Sequence, residues 1–487
     1  MNAETFKKYN LFIFYYVLLF SLIPIVTRNV LPYDMLENLY WGKEWQLGYS
    51  KHPPLFAWIS FAFYKVCFSI PESLYILTQL NLLLGLYFVF QITQLIYKDT
   101  EKSYAAVFIF MSSACAVFGN EKFNATTILM SLLPAMFYFF LRMIKFRKKT
   151  DAVLLGIFSA LALVSKYFSP LFMGCMGLFL LINKESRSIL KTSLPYIAVI
   201  IFLIGISWHL YWIYENNFIT IRYALAKSTL AEKNYLSAFH FLTIQFLFFA
   251  SSFIAAAYAL SSSDKSLLAI FRNAGFFEIK KTYSMEEQFI IFITLVPTII
   301  LVLISIFTGM RIGSFWGANM MMLLGIFLVV INKKTINLER LYDFTKYIAL
   351  IFGIILFSKL SFGHISESAN PTYIIDYREV SRQIEKDWNT LFFDKKIENI
   401  VADKATTALH IYLKDSPSFY DTRNLDTRDL FSKISLGCKN TVVTFVYKKN
   451  DELLKKFHDF YENDILFEKS IDIKKDLVLH YAFLKNR

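Results

Sequence analysis

The chain has 487 residues, a formal net charge of +13 and 56% hydrophobic residues, with a mean hydropathy of +0.43. Such a chain is too apolar for an ordinary soluble protein, and its repeated apolar runs approach the ~20 residues a helix needs to cross a bilayer. Its basic residues fall mainly in short loops between these runs, which marks membrane topology and argues against a nucleic-acid patch.

Lys7 and Lys8 precede an apolar run over 11–26. No small-residue cleavage site follows it, so the segment reads as an uncleaved first helix with its N-terminus in the cytoplasm. That places the loop over 29–70 outside. Within it, 53–70 is short and bounded by Pro71, which suits an interfacial helix better than a full crossing. Apolar segments then follow over 73–97, 104–118, 123–141, 152–165, 168–182, 194–214, 238–260, 289–307, 315–331 and 347–360, about eleven crossings with the first. Counted this way, the cluster Arg142, Lys145, Arg147, Lys148 and Lys149 faces inside, as do the loop bearing Lys265, Arg272, Lys280 and Lys281 and the turn bearing Lys333, Lys334 and Arg340. One miscounted crossing would break that agreement.

From about residue 361 the composition turns polar. Helical spacing over 377–392 and 451–461, and β-branched and aromatic runs over 397–402, 441–447 and either side of a turn at 473–476, predict a small α/β domain of roughly 120 residues. The domain reading is therefore 1–360 in the membrane and 361–487 outside it. Cys67, Cys115 and Cys175 lie in apolar segments and Cys438 stands alone in the tail, so no disulfide framework or CxxC metal site is available.

Sorted by side, the polar residues near the apolar segments gather outside: Asp34, Glu37, Lys51, His52, Asn120, Glu121, Lys122, Lys166, His209, Arg222 and Arg311. Ionisable groups at a membrane boundary are costly unless paired or hydrated, so this grouping predicts a polar cavity on that face. Each residue also has a plainer role open to it. Asp34 and Glu37 have the spacing of a helix-capping arrangement. Lys51 and His52 could snorkel ahead of a helix started by Pro53-Pro54, Lys166 could be interfacial, Arg311 could be a turn charge, and His209 between Trp208 and Leu210 suits a satisfied structural histidine. HExxH, Walker A and Gly-rich nucleotide loops are missing, so neither a metal-hydrolase nor a nucleotide site is indicated.

The order Asp34, Trp41, Gly48-Tyr49 and His52-Pro53-Pro54-Leu55 resembles the first external loop of the GT-C glycosyltransferases that use polyprenyl-phosphate sugars, in the bacterial branch near the protein O-mannosyltransferases and the lipid A aminoarabinose transferases. Lys122-Phe123-Asn124-Ala125-Thr126-Thr127 resembles that family's second external turn. Ala162-Leu163-Val164-Ser165-Lys166-Tyr167 resembles its lysine-bearing segment, and His209-Leu210-Tyr211-Trp212 with Arg222-Tyr223-Ala224-Leu225 a later loop. The family's frequent Asp-Glu pair is Asp34-Met35 here, with Glu37 one turn on.

The resemblance implies a mainly helical GT-C fold and transfer of a sugar from undecaprenyl phosphate, with inversion, at the outer face of a bacterial inner membrane. The implied acceptor is lipid A or another envelope glycan, with protein O-glycosylation as the alternative; a flippase or secondary transporter is the rival from another class. Asp34 and Glu37 are then the catalytic carboxylates. Lys51, His52, Lys166 and Arg311 would hold the donor phosphate, and Trp41, Tyr49, Lys122, Asn124, His209 and Arg222 the sugar or acceptor. No cofactor is required, and a divalent metal is not indicated.

Overall fold

A computed structural model of the chain describes residues 2–229, 233–261, 282–332, 334, 336–362, 374–393, 395–403, 405–415, 417–421, 440–448, 453–461, 464–474 and 477–484. The inside loop bearing Lys265, Arg272, Lys280 and Lys281, together with Lys333, Cys438 and the 475–476 tip of the last expected turn, lies outside the described residues.

The protein is a multi-pass helical membrane protein with a small mixed sheet near its C-terminus. Seven described helices are long and apolar enough to span a bilayer: Ala3–Thr27 (α1), Ser73–Tyr97 (α4), Leu129–Phe146 (α7), Leu194–Glu215 (α10), Ser237–Leu260 (α12), Met285–Thr308 (α13) and Leu338–Phe362 (α16). An eighth passes only as a pair, Ser314–Met320 with Leu324–Ile331 (α15), bent by 53°.

The remaining three expected crossings form helices, but short ones. They are Thr100–Met111 (α5), which breaks at Ser112-Ser113 before Ala114–Phe118 (α6), then Lys149–Leu163 (α8) and Ser169–Ile182 (α9). At 1.5 Å per residue, helices of 12 to 15 residues reach only about two-thirds of the hydrocarbon core. Packing against neighbours compensates, for every residue from Ser103 to Met111 is buried.

The pairings between helices keep to the two sides read from charge. Residues placed inside meet each other: Lys8 with Glu339 at 2.6 Å, Lys145 with Glu286 at 2.7 Å, Tyr97 with Glu287 at 2.6 Å and Asn183 with Gln288 at 2.9 Å. Residues placed outside do likewise, with Arg28 and Lys359 both on Glu121. Lys8 and Arg28 stand at opposite ends of α1, so the two groups are separated by the length of a span.

Between α1 and α4 the chain forms a hairpin of two 12-residue helices, Tyr33–Glu44 (α2) and Leu55–Val66 (α3). The second is the short helix expected over 53–70. Trp45, Trp58 and Trp208 form a ladder along its outer side, with ring centres 5.5 and 5.2 Å apart. Tryptophan suits that level because its ring is apolar and its N–H polar; Trp58 donates to Gln46 O at 3.1 Å.

Beyond α16 the described chain forms an α/β unit. Its sheet runs β2-β1-β3-β5-β4, with Asn399–Ala402 (β1) parallel to both Ser418–Asp421 (β2) and Thr441–Lys448 (β3), and Ile465–Lys474 (β4) and Leu477–Leu484 (β5) added antiparallel. Tyr377–Phe392 (α17) covers one face through Trp388 against Phe483, and Leu453–Tyr461 (α19) covers the other through Phe457 and Tyr461; Leu409–Tyr412 (α18) lies between β1 and β2. The parallel edge strand β2 is an addition to the sequence reading. Only Phe419 and Tyr420 favour a strand in this segment, against the β-branched Ile400-Val401 of the equally short β1.

Candidate active site

The α2–α3 hairpin is fixed by close contacts. A Cβ on Gly42 would come within 2.4 Å of both Ala57 O and Phe61 Cβ, and one on Gly48 within 2.3 Å of the Trp212 ring, so both approaches require glycine. Asn38 is 1% exposed and clamps the hairpin twice over, donating to Ser60 Oγ on α3 at 3.1 Å and to Phe123 O at 2.8 Å. The second bond ties the first external loop to the second external turn.

That turn is itself held by side chains. Asn124 Oδ1 accepts from the backbone N–H groups of Thr126 and Thr127 at 2.8 and 3.0 Å, and Thr127 Oγ1 donates to Lys122 O at 2.9 Å. An Asn closing its own turn in this way leaves its NH2 free to point elsewhere. It points at Asp34: Asn124 Nδ2 donates to Asp34 Oδ2 at 2.8 Å, and Lys122 Nζ stands 2.8 Å from the same oxygen.

Asp34 is therefore not a cap. The N-cap of α2 is Pro32, without a side-chain cap hydrogen bond. Burial alone would raise the Asp34 carboxyl, but the Lys122 ammonium, with help from Asn124 and His52, outweighs it and holds the group below the usual carboxylate range.

Asp34, Lys122 and Asn124 line a cavity of about 490 Å³ together with Arg28, Glu121, Thr126, Phe248, Phe315, Trp316 and Lys359. Lys166 reaches its wall from the segment between α8 and α9, donating to Thr126 Oγ1 with Nζ 5.3 Å from the centre of the Trp316 ring. Four cations and two carboxylates thus converge on one chamber, whose far wall is aromatic. Fixed cations in a partly dry site are the arrangement that stabilises charge growing on phosphate oxygens.

The other expected site residues divide into supports and outliers. Glu37, 8% exposed, does not join Asp34; it takes Lys51 Nζ at 2.7 Å and the Tyr33 hydroxyl at 3.2 Å. Trp41 and Tyr49 are buried and stacked at 4.9 Å, Lys51 Nζ lies 5.8 Å from the Trp41 ring centre, and His52 packs edge-on against Trp41 and Phe56. These residues brace the hairpin behind Asp34. His209 is fully buried, with Nδ1 2.8 Å from Leu47 O and Nε2 2.8 Å from the Tyr167 hydroxyl, which is the satisfied structural arrangement. Arg222 and Arg311 are exposed and outside the lining of the cavity.

The sequence reading did not single out Arg28, Trp316 and Lys359, which line the cavity, or Asn38, which ties the hairpin to the turn below it. Arg28 and Lys359 look like ordinary flanking charges at span ends, and only the folded chain shows both meeting Glu121. Trp316 carried a usable signal, being a tryptophan five residues past Arg311 at the start of the expected span over 315–331.

Residues 51–212 match the family model for dolichyl-phosphate-mannose-protein mannosyltransferase. No curated protein matches the chain. Among solved structures the chain is similar to ArnT from Cupriavidus metallidurans bound to undecaprenyl phosphate, with a TM-score of 0.67 at 11% identity over 99% of this chain and 98% of that one. It is also similar to the apo state of the same protein, with a TM-score of 0.63, the same identity and the same coverage. The chain therefore has the fold of these two structures, and its segment 51–212 is similar to the mannosyltransferase family model.

Proposed function

We propose that the chain transfers a sugar from undecaprenyl phosphate, with inversion, to a lipid A or other envelope-glycan acceptor at the periplasmic face of an inner membrane. The observation that carries this reading is the Asp34 carboxylate set at the wall of a cation-rich 490 Å³ cavity. That volume lies within the usual range for small-molecule sites. Phe248 and Phe315 give the chamber an apolar wall suited to the first isoprene units, and the similar ArnT structure holds undecaprenyl phosphate.

In the proposed step the acceptor oxygen attacks the anomeric carbon from the side of Asp34 while the bond to the carrier phosphate breaks. Lys166, Lys122 and Arg28 stabilise the departing phosphate, which leaves with the bonding electron pair. If the acceptor is a hydroxyl, its proton passes to Asp34; an acceptor that is already an anionic phosphate needs orientation more than deprotonation. Lys122, with Asn124 and His52, outweighs burial and holds the Asp34 carboxyl below the usual carboxylate range, which makes it a weaker base.

Protein O-glycosylation is the second reading, favoured by the family description matched over 51–212. The test incubates detergent-purified protein with an undecaprenyl-phosphate-linked labelled sugar and either lipid A or a Ser/Thr peptide. Label on lipid A supports the first reading and label on the peptide the second. No transfer to either, with carrier lipid moved across vesicles instead, would overturn both.

A further inference from the structure

Away from the cavity, the face of the C-terminal sheet beneath α19 carries a group of metal-ligating side chains. In the β4–β5 hairpin Ser470 stands opposite His480 and Glu468 opposite Ala482, so by strand alternation Glu468, Ser470 and His480 share one face. Helix α19 packs on that face through Phe457 and Tyr461, which brings the next residue, His458, over the same spot. His458 Nε2 lies 2.7 Å and His480 Nε2 3.3 Å from Glu468 Oε2, and the three ligand atoms are within 4.8 Å of one another.

His480 gives this cluster its direction. Its side chain is 2% exposed, walled by Phe445 and Phe457 at ring distances of 5.1 and 5.4 Å. Its Nδ1 lies 3.0 Å from Ser470 Oγ, while its buried Nε2 faces Glu468 Oε2 at 3.3 Å. In the tautomer whose Nδ1 proton goes to Ser470, the Nε2 lone pair would face Glu468 and His458. A metal-ligating histidine has its second ring nitrogen held by a hydrogen bond that fixes the tautomer, and Ser470 Oγ is placed to do so here.

We propose that His458, Glu468 and His480 bind a zinc-class divalent cation that clips α19 to the β4–β5 hairpin. Two imidazoles and one carboxylate are a ligand set that zinc takes with a water in its fourth position. Bonds of about 2.0–2.1 Å at the tetrahedral angle put ligand atoms roughly 3.3 Å apart. The Glu468–His480 separation already has that value. The 2.7 Å pair must open by about 0.6 Å to reach that spacing, and it lies between two side chains that each keep about two-fifths of their surface exposed. A cavity of about 520 Å³ lined by Tyr447, His458, Ser470 and Asp472 adjoins the cluster and leaves space for the water. Short-range sequence motifs could not show this site, because its ligands come from a helix and two strands.

The test titrates Co2+ into the full-length, chelator-stripped protein in detergent and reads the visible d–d absorption of tetrahedral cobalt, with displacement by Zn2+. One equivalent per chain is expected. The double variant His458→Ala/Glu468→Gln, which alters the two less buried ligands and leaves His480 in the core, is expected to weaken binding at least tenfold with an unchanged circular dichroism spectrum. The Asp34→Asn variant is expected to bind as the parent does, separating this site from the cavity. Absence of the d–d bands, or equal binding by the double variant, would overturn the proposal, whatever the result of the transfer assay.

Discussion

Lys122 Nζ lies 2.8 Å from Asp34 Oδ2 while the two side chains keep 38% and 36% of their surface exposed. The contact is therefore one an incoming substrate can reach and rearrange. An exposed pair of this kind contributes at most about 1 kcal/mol to stability. Asp34→Asn, which keeps the shape of the side chain, is expected to cut turnover by about 10²-fold or more and to shift the unfolding temperature by no more than about 2 °C. Product formation and thermal unfolding of the same detergent preparation check both. Near-normal turnover would remove Asp34 from the chemistry.

The same pair sets a pH dependence. Burial raises the Asp34 carboxyl, but Lys122, Asn124 and His52 pull it further the other way, so it is ionised throughout the neutral range. Activity that needs the carboxylate falls only as pH drops through this depressed value, below the usual carboxylate range. Lys122→Ala leaves burial less opposed and moves the acid limb of kcat/KM upward; Lys122→Arg keeps it low. An acid limb that stays in place in Lys122→Ala would mean that another group controls it.

Eight of the expected apolar spans, the short helix after Pro53-Pro54 and most of the C-terminal elements are legible in the sequence because each rests on local periodicity. Tyr377–Phe392 follows helical spacing within one segment, and among the described residues the pairings of Lys8 with Glu339 and of Lys145 with Glu286 agree with the sides assigned from charge. Asp34, Lys122, Asn124 and Lys166 are brought to one chamber as their placement on the outer face implied. What the sequence conceals is direction. Glu37 sits one turn from Asp34 yet turns to Lys51, and His209 spends both ring nitrogens on Leu47 and Tyr167. Arg28 and Lys359 are 331 positions apart by number (359 less 28) and meet only through Glu121, a long-range contact to which neither residue's local pattern points.

Lys166 reaches the cavity wall between Thr126 and the Trp316 ring. Lys166→Ala is expected to raise KM for the lipid-phosphate donor about tenfold, with a smaller effect on thermal stability. Trp316→Leu removes the ring face that attracts the ammonium, a contribution of about 0.5–2 kcal/mol, and should raise the same KM by a lesser factor. Donor titrations at saturating acceptor read the effect. A collapse of thermal stability in Lys166→Ala with donor KM unchanged would make Lys166 structural.

Glu37 and Lys51 pair at 2.7 Å with only 10% and 13% of their side chains exposed, behind the wall that carries Asp34. Removing one member of a pair this buried leaves the other charge uncompensated, at a cost of roughly 3–5 kcal/mol. Glu37→Ala is therefore expected to lower the unfolding temperature markedly and to lose activity in proportion to the folded fraction. The double substitution Glu37→Ala/Lys51→Met removes both charges and should recover much of the stability, a coupling that a double-mutant cycle in thermal unfolding measures. If Glu37→Ala instead abolishes turnover while unfolding is unchanged, Glu37 acts on the substrate beside Asp34, and the division between supporting and reacting carboxylates drawn from the geometry is wrong.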